Sequence, residues 1–190
     1  MKAFGDVAMR SERDMYRANV QIIYDHPRFL ADILGPFGGS FATFWADAES
    51  LHMVVEDRRF DVSKEAGLSG LPFFRDYAIS FEQLIRILTG RVAYPEMLRM
   101  PPDSSWMQRR KTWHFWDSDS VAALMRMGRS RRFPEVVVYE SRGALPWRIE
   151  LKRFIKLGIA RQIRLETPEN NYFSLNLQDI RIQITSRSEK

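Results

Sequence analysis

Apolar and polar residues alternate along much of this chain with the period of two that a half-buried strand requires. The strictest run is Ile180-Arg181-Ile182-Gln183-Ile184-Thr185, which predicts one strand face made of isoleucine. Phe173-Ser174-Leu175-Asn176-Leu177 alternates in the same way, and Ile163-Arg164-Leu165-Glu166 does so over a shorter span. Ile149-Glu150-Leu151-Lys152 opens another strand after a turn at 143–146. Gly158 and the turn Pro168-Glu169-Asn170-Asn171 separate these runs, so the C-terminal part reads as an antiparallel meander with one apolar and one wet face. Upstream, residues 14–24, 28–34, 40–46, 51–56 and 58–62 read as sequential antiparallel strands, with turns at Asp25-His26-Pro27 and Ala48-Glu49-Ser50. Residues 112–117, 122–126 and 135–140 add three further short runs.

One segment departs from this period. In Ser80-Phe81-Glu82-Gln83-Leu84-Ile85-Arg86-Ile87-Leu88-Thr89-Gly90, the residues Phe81, Leu84, Ile85 and Leu88 recur at i, i+3, i+4 and i+7. Ser80 and Gln83 make a capping-box pattern, and Gly90 stands where a helix should stop, so an amphipathic helix of about three turns is predicted. A second, shorter helix is expected from Pro95. Residues 66–77, with Leu71, Phe73 and Phe74 among glycines and a proline, read as a loop with apolar side chains. The expected class is mainly β (α+β), with no internal repeat and no low-complexity tract.

Between the runs 28–34 and 40–46 lies Gly35-Pro36-Phe37-Gly38-Gly39. A turn of this composition ordinarily carries polar residues at its apex, because Gly and Pro set the backbone while water solvates the tip. Here the apex is Phe37. Either the ring is presented to solvent to meet something apolar, or it folds back onto its own core.

Composition narrows the chemistry. The 190 residues, 45% hydrophobic, suit one domain with a sizeable core. There is no cysteine, so neither disulfides nor thiol chemistry operate, and no run of about 18 apolar residues exists to form a spanning helix. The charge is +5, with basic clusters at Arg109-Arg110-Lys111 and 129–132; these suit an anionic surface or are a solvated face. His26, His52 and His114 are isolated from one another, and Asp117 and Asp119 lack the Gly and Glu of a calcium loop, so no metal is expected. No serine sits in a Gly-x-Ser-x-Gly setting and no glycine-rich loop precedes a helix, so no residues stand out to carry catalysis or hold a cofactor. The five tryptophans suit a pocket wall; they could also stack bases, but no nucleic-acid-binding motif accompanies them.

The order of these motifs resembles a known family. A string of antiparallel strands, the tip Gly35-Pro36-Phe37-Gly38, a helix ending in Ile87-Leu88-Thr89-Gly90, then Leu145-Pro146-Trp147-Arg148-Ile149-Glu150-Leu151 and the strand Ile163-Arg164-Leu165 are similar to the LolA/LolB group of bacterial lipoprotein-localisation factors, LolB in particular. The resemblance implies one LolB-like domain over residues 1–190: an unclosed antiparallel half-barrel sheet wrapped around plug or lid helices, with an apolar cavity for the acyl chains of lipoproteins or lipids. By the same resemblance, Phe37, flanked by Pro36 and Gly38, is the membrane-insertion tip. Phe81, Leu84, Ile85 and Leu88 form the lid face, and Trp45, Ile149, Leu151, Ile163, Leu165, Leu175 and Ile182 the cavity wall. It further implies a monomer, not an enzyme, without cofactor or metal, that works at the periplasmic face of the outer membrane. Its partners would be acyl chains, that membrane surface and a periplasmic carrier protein, with no nucleic acid. Members carry a lipid on an N-terminal cysteine, so a leader and anchor are expected ahead of these residues. Residues 101–132, rich in Trp and Arg, do not align with the family. The competing expectation is a non-transporting scaffold of an envelope assembly whose concave face is filled.

Overall fold

Six strands come first along the chain: β1 (Lys2–Arg10), β2 (Met15–Asp25), β3 (Arg28–Leu34), β4 (Ser40–Ala46), β5 (Ser50–Val55) and β6 (Arg58–Ser63). Among the described residues two helices follow, α1 (Phe81–Leu88) and α2 (Pro95–Arg99). Seven more strands come after them among the described residues: β7 (Ser104–Gln108), β8 (Lys111–Asp117), β9 (Val121–Met127), β10 (Pro134–Ser141), β11 (Arg148–Phe154), β12 (Ala160–Glu166) and β13 (Tyr172–Arg181). The computed structural model describes residues 1–10, 15–47, 49–55, 58–63, 79–127, 134–142, 146–167 and 171–182. The apolar loop expected at 66–77, the basic cluster at 129–132, Leu145 and the end of the isoleucine alternation at 183–185 lie outside the described residues.

All thirteen strands form a single sheet in the order β6-β5-β4-β3-β2-β1-β13-β12-β11-β10-β9-β8-β7. Two antiparallel meanders, β1 to β6 and β7 to β13, are sewn together by the pairing of β1 with β13. β6 and β7 stand at the two edges unpaired with each other, so the sheet is not closed into a barrel. The half-barrel expectation holds.

Alternation decides which residues enter the core. In β1 the odd residues Ala3, Val7 and the half-buried Met9 face inward, and their partners on β13 are Ile180, Leu175 and Phe173. A register shift falls between Phe4 and Gly5, whose partners are Asp179 and Leu177, so Gln178 is the extra residue of a bulge. The bulge explains one departure from the sequence pattern. The alternations at 173–177 and from 180 onward are out of phase, which suggests separate strands, yet both lie on β13 because the bulge restores the inward face. Neither β1 nor β7 is evident as a strand in the sequence; β1 carries Gly5 at its centre, and β7 is exposed throughout, with no apolar face to set a period.

The helix α1 forms as its capping residues dictate. The Gln83 amide donates to the Ser80 hydroxyl at 3.2 Å, and the Ser80 amide donates to Gln83 Oε1 at 2.7 Å. Such a cap stabilises a helix by about 1 kcal/mol. Phe81, Leu84, Ile85 and Ile87 are buried, and Leu88 is half-buried against the core. Past the buried Thr89, Gly90 takes φ +71, and its carbonyl accepts from the Ala160 amide at 2.7 Å, pinning the helix end to β12. Among the described residues no helix is long and apolar enough to cross a membrane.

Candidate functional site

Under α1 the described residues leave part of the concave face of the sheet unfilled. A cavity of about 210 Å³ lies between the helix and strands β1 to β5, with β12 and β13 closing its side. Val7 and Met9, Val20 and Ile22, Phe29, Ala31 and Ile33, Phe41, Ala42 and Phe44, and Leu51, Met53 and Val55 form its wall strand by strand. Leu84, Ile85, Ile87 and Leu88 form its roof, and Leu165, Phe173 and Leu175 complete it. Every lining residue is hydrophobic. An apolar cavity of about 150 Å³ stays dry and takes up small hydrocarbons, so this larger one offers water nothing and hydrocarbon a complete set of dispersion contacts.

Strand directions locate its mouth. In an antiparallel sheet the ends of β1, β3 and β5 share one rim with the starts of β4 and β13. Met9, Phe41, Val55 and Phe173 lie at that rim and are half-buried, as are Phe44 and Met53 further along β4 and β5, whereas Ile22, Phe29 and Leu51 lie toward the other end and are sealed at 1–2% exposure. Phe41 reaches the wall because β4 bulges there: Ile33 pairs with Ala42 and Leu34 with Ser40, leaving Phe41 as the additional residue.

The hairpin joining β3 to β4 rises from the same rim. The Gly35 amide donates to the Gly39 carbonyl at 2.7 Å and the Gly38 amide to the Gly35 carbonyl at 3.0 Å, closing a tight turn. Pro36 fixes its own φ, and Gly38 adopts φ +83, a conformation that few other residues accept. At the apex Phe37 is 100% exposed, so it does not fold onto the core.

The structure therefore brings Leu84, Ile85, Leu88, Leu165 and Leu175 together around one cavity, with Phe37, Pro36 and Gly38 at its rim. Other expected positions fall elsewhere. Phe81 is buried outside this cavity, beside a separate recess along α1 whose lining includes Tyr24, His26 and Arg91. Ile149, Leu151 and Ile163 are fully buried but belong to the filled half of the concave face, where Tyr94 packs on Tyr139 at 5.1 Å and on Trp147 at 6.4 Å. Burial pushes the Tyr94 phenol up to about 12, so it stays neutral there. Ile182 lies just past β13, half-buried and away from the cavity. Trp45 is not a wall residue: Phe44 and Ala46 face inward, so Trp45 faces out and stacks on His52 at 5.0 Å. Nor do the tryptophans as a group line the cavity. Trp116 and Trp147 are core, and Trp106 and Trp113 stack on each other at 6.2 Å on the outer face.

Sequence reasoning missed the wall contributed by β1 to β5, by Ile87 and by Phe173. Its signal is present in Val20 and Ile22, and in Phe29, Ala31 and Ile33, each a short alternation.

Around Trp45 the outer face carries a polar chain. His52 Nδ1 meets Asp61 at 2.6 Å, its Nε2 meets the Ser50 hydroxyl at 2.8 Å, and Arg59 donates to Asp61 at 2.9 Å. The connectivity is that of a nucleophile relay, but Asp47 accepts from the Ser50 hydroxyl at 3.1 Å and also occupies the Glu49 and Ser50 amides at 2.8 and 2.9 Å. An anion thus sits where an oxyanion would need donors. Asp61 is held below the usual carboxylate range by the His52 hydrogen bond and then by Arg59, as expected for a charge network on a surface. Among the described residues no cluster of His, Asp and Glu is arranged to hold a metal.

Comparison of the whole chain with solved structures matches this architecture. A LolA superfamily protein from Nitrosomonas europaea superposes with a TM-score of 0.52 at 10% identity, covering 97% of this chain and 87% of that one. The fold is LolA-like. A DUF1329 family protein from Desulfovibrio piger superposes with a TM-score of 0.57 at 7% identity, covering 97% and 86% respectively. No family model and no curated protein matches the sequence.

Proposed function

We propose that the chain binds acyl chains of lipoproteins or lipids in the cavity beneath α1 and helps transfer them into a membrane that Phe37 enters. The observation that carries this reading is a wholly apolar cavity whose mouth shares a rim with a fully exposed phenylalanine. Each methylene moved from water to such a site contributes about 0.8 kcal/mol, so even a partly inserted chain gains several kcal/mol. Burying Phe37 in hydrocarbon contributes about 1.5–3 kcal/mol, enough to bias a tethered protein toward insertion but not to anchor it. Following the resemblance, the setting is the periplasmic face of a bacterial outer membrane, with the acyl cargo received from a periplasmic carrier, and binding rather than catalysis is the activity. The space that the described residues leave under α1 favours this reading over the scaffold reading, which needs a concave face occupied by side chains.

Filling the cavity tests the proposal. Ala31 is buried on the wall, and Ala31→Phe directs a ring into the empty space. Uptake of a fluorescent fatty acid should be lost while stability changes by about 1 kcal/mol or less, because the added carbons enter a void. Unchanged uptake by a folded Ala31→Phe protein would remove the cavity from the account.

A further inference from the structure

The end of the sheet opposite Phe37 carries a second tip of the same build. Between β11 and β12 the Ile155 amide donates to the Ile159 carbonyl at 2.9 Å and the Gly158 amide to the Ile155 carbonyl at 3.0 Å. This is the hydrogen-bond pattern of the Phe37 turn, residue for residue, and Gly158 at φ +72 stands where Gly38 stands. The apex residue is Leu157, 57% exposed. In an antiparallel sheet the turn that ends β11 lies at the rim away from the end of β3, so the two apolar apexes point in opposite directions.

What surrounds Leu157 differs from what surrounds Phe37. Lys156 precedes it in the turn, and the β7–β8 hairpin at the same rim has Arg109 and Arg110 as its two tip residues. Among the described residues, neither arginine nor Lys156 has an acidic partner. Two-residue hairpins of this geometry favour Asn and Gly, since both tip residues need positive φ. Here Arg109 and Arg110 hold φ 50 and 63, and Arg153, near the end of β11, holds φ 57. Among the described residues these three arginines are all the non-glycine residues in the left-handed region, and all three lie toward this rim. That arginine, in place of Asn or Gly, carries this left-handed backbone three times at one end points to a use for its side chain there. Met107, 77% exposed, adds a second apolar group beside the arginines. By strand spacing the two hairpin tips stand about 19 Å apart, a span that a flat surface meets and a small ligand does not.

We infer that this rim is a second membrane-contact surface, selective for anionic phospholipid bilayers: the arginines and Lys156 take the headgroup phosphates while Leu157 and Met107 enter the interface. Guanidinium groups suit phosphate by their planar fork of donors, and a basic rim with apolar apexes complements a negatively charged bilayer in charge and polarity together. The inference does not depend on what the cavity holds. A protein so built contacts membrane by either end, through apolar insertion at one and through charge at the other.

Vesicle co-sedimentation tests it, with phosphatidylcholine alone or mixed with phosphatidylglycerol. The wild type should prefer the phosphatidylglycerol vesicles and lose that preference at high salt. Arg109→Glu/Arg110→Glu/Lys156→Glu should weaken binding to them about a hundredfold with its melting temperature retained, whereas Phe37→Glu should keep the salt-sensitive part. Leu157→Trp, which alters no charge, should show blue-shifted emission with phosphatidylglycerol vesicles. The inference is overturned if the triple variant binds like the wild type, if the wild type does not distinguish the two lipids, or if a single-stranded oligonucleotide displaces the protein from the vesicles.

Discussion

Gly90 shows how a single residue sets the roof of the cavity. A Cβ built on it would lie 2.3 Å from the Ala160 carbonyl oxygen, and its φ of +71 disfavours any side chain. Gly90→Ala should therefore cost about 3 kcal/mol, read as a shift in the urea midpoint at unchanged m-value. An effect below about 1 kcal/mol would mean that α1 is not held against β12 as described. Phe37 gives the opposite expectation. Its ring is fully exposed, so Phe37→Glu should leave the melting temperature within a degree or two, about the effect of a neutral surface change, and reduce binding to uncharged vesicles by about tenfold or more. A fall in stability of several kcal/mol would place the ring in a core instead.

At the scale of elements, strand identity is legible where an apolar face is simple and is lost where a bulge shifts the phase. β3 and β4 end where the alternation and the Gly-Pro tip say they should, and α1 begins at its capping box. The wall of the cavity was harder to read. The run Phe41-Ala42-Thr43-Phe44-Trp45-Ala46 is apolar on both faces, and the bulge at Phe41 decides that Phe44 faces in and Trp45 out. In β11 and β12, inward alternation identifies Ile149, Leu151 and Ile163 correctly as buried, but nothing in a strand's own sequence says whether helices cover its inner face. That depends on where α2 and Tyr94 pack, a long-range outcome. The far edge carries its own ties. Glu135 meets both Lys111 and Arg126, linking β8, β9 and β10, and the Lys111 hydrogen bond holds its carboxyl below the ordinary value of 4.5. A carboxyl with a depressed folded-state pKa contributes stability above its unfolded value and loses it as pH falls through the folded one. Acidification below about pH 4.5 should thus lower the melting temperature, and Glu135→Gln should flatten that slope. Identical slopes in the two proteins would show that the network contributes nothing.

For the molecule as a whole, an unclosed sheet with helices on its concave side creates an asymmetry. Among the described residues, one half of the concave face is packed by Tyr94, Tyr139 and Trp147, while the half under α1 is left open. Such a cavity is costly to leave empty, since its walls forgo dispersion contacts that the proposed acyl ligand would restore. The seam at β1 and β13 holds the two halves at fixed spacing; a Cβ on Gly5 would fall 2.1 Å from the Asn176 carbonyl oxygen, so the strands meet there with no room for a side chain. The most direct test of the central claim is native mass spectrometry, with lipid extraction, of the protein purified from a bacterial envelope. An acyl-bearing species bound in a one-to-one ratio and absent from Ala31→Phe is the predicted result. A clean unliganded mass, together with no uptake of a fluorescent acyl probe, would contradict it.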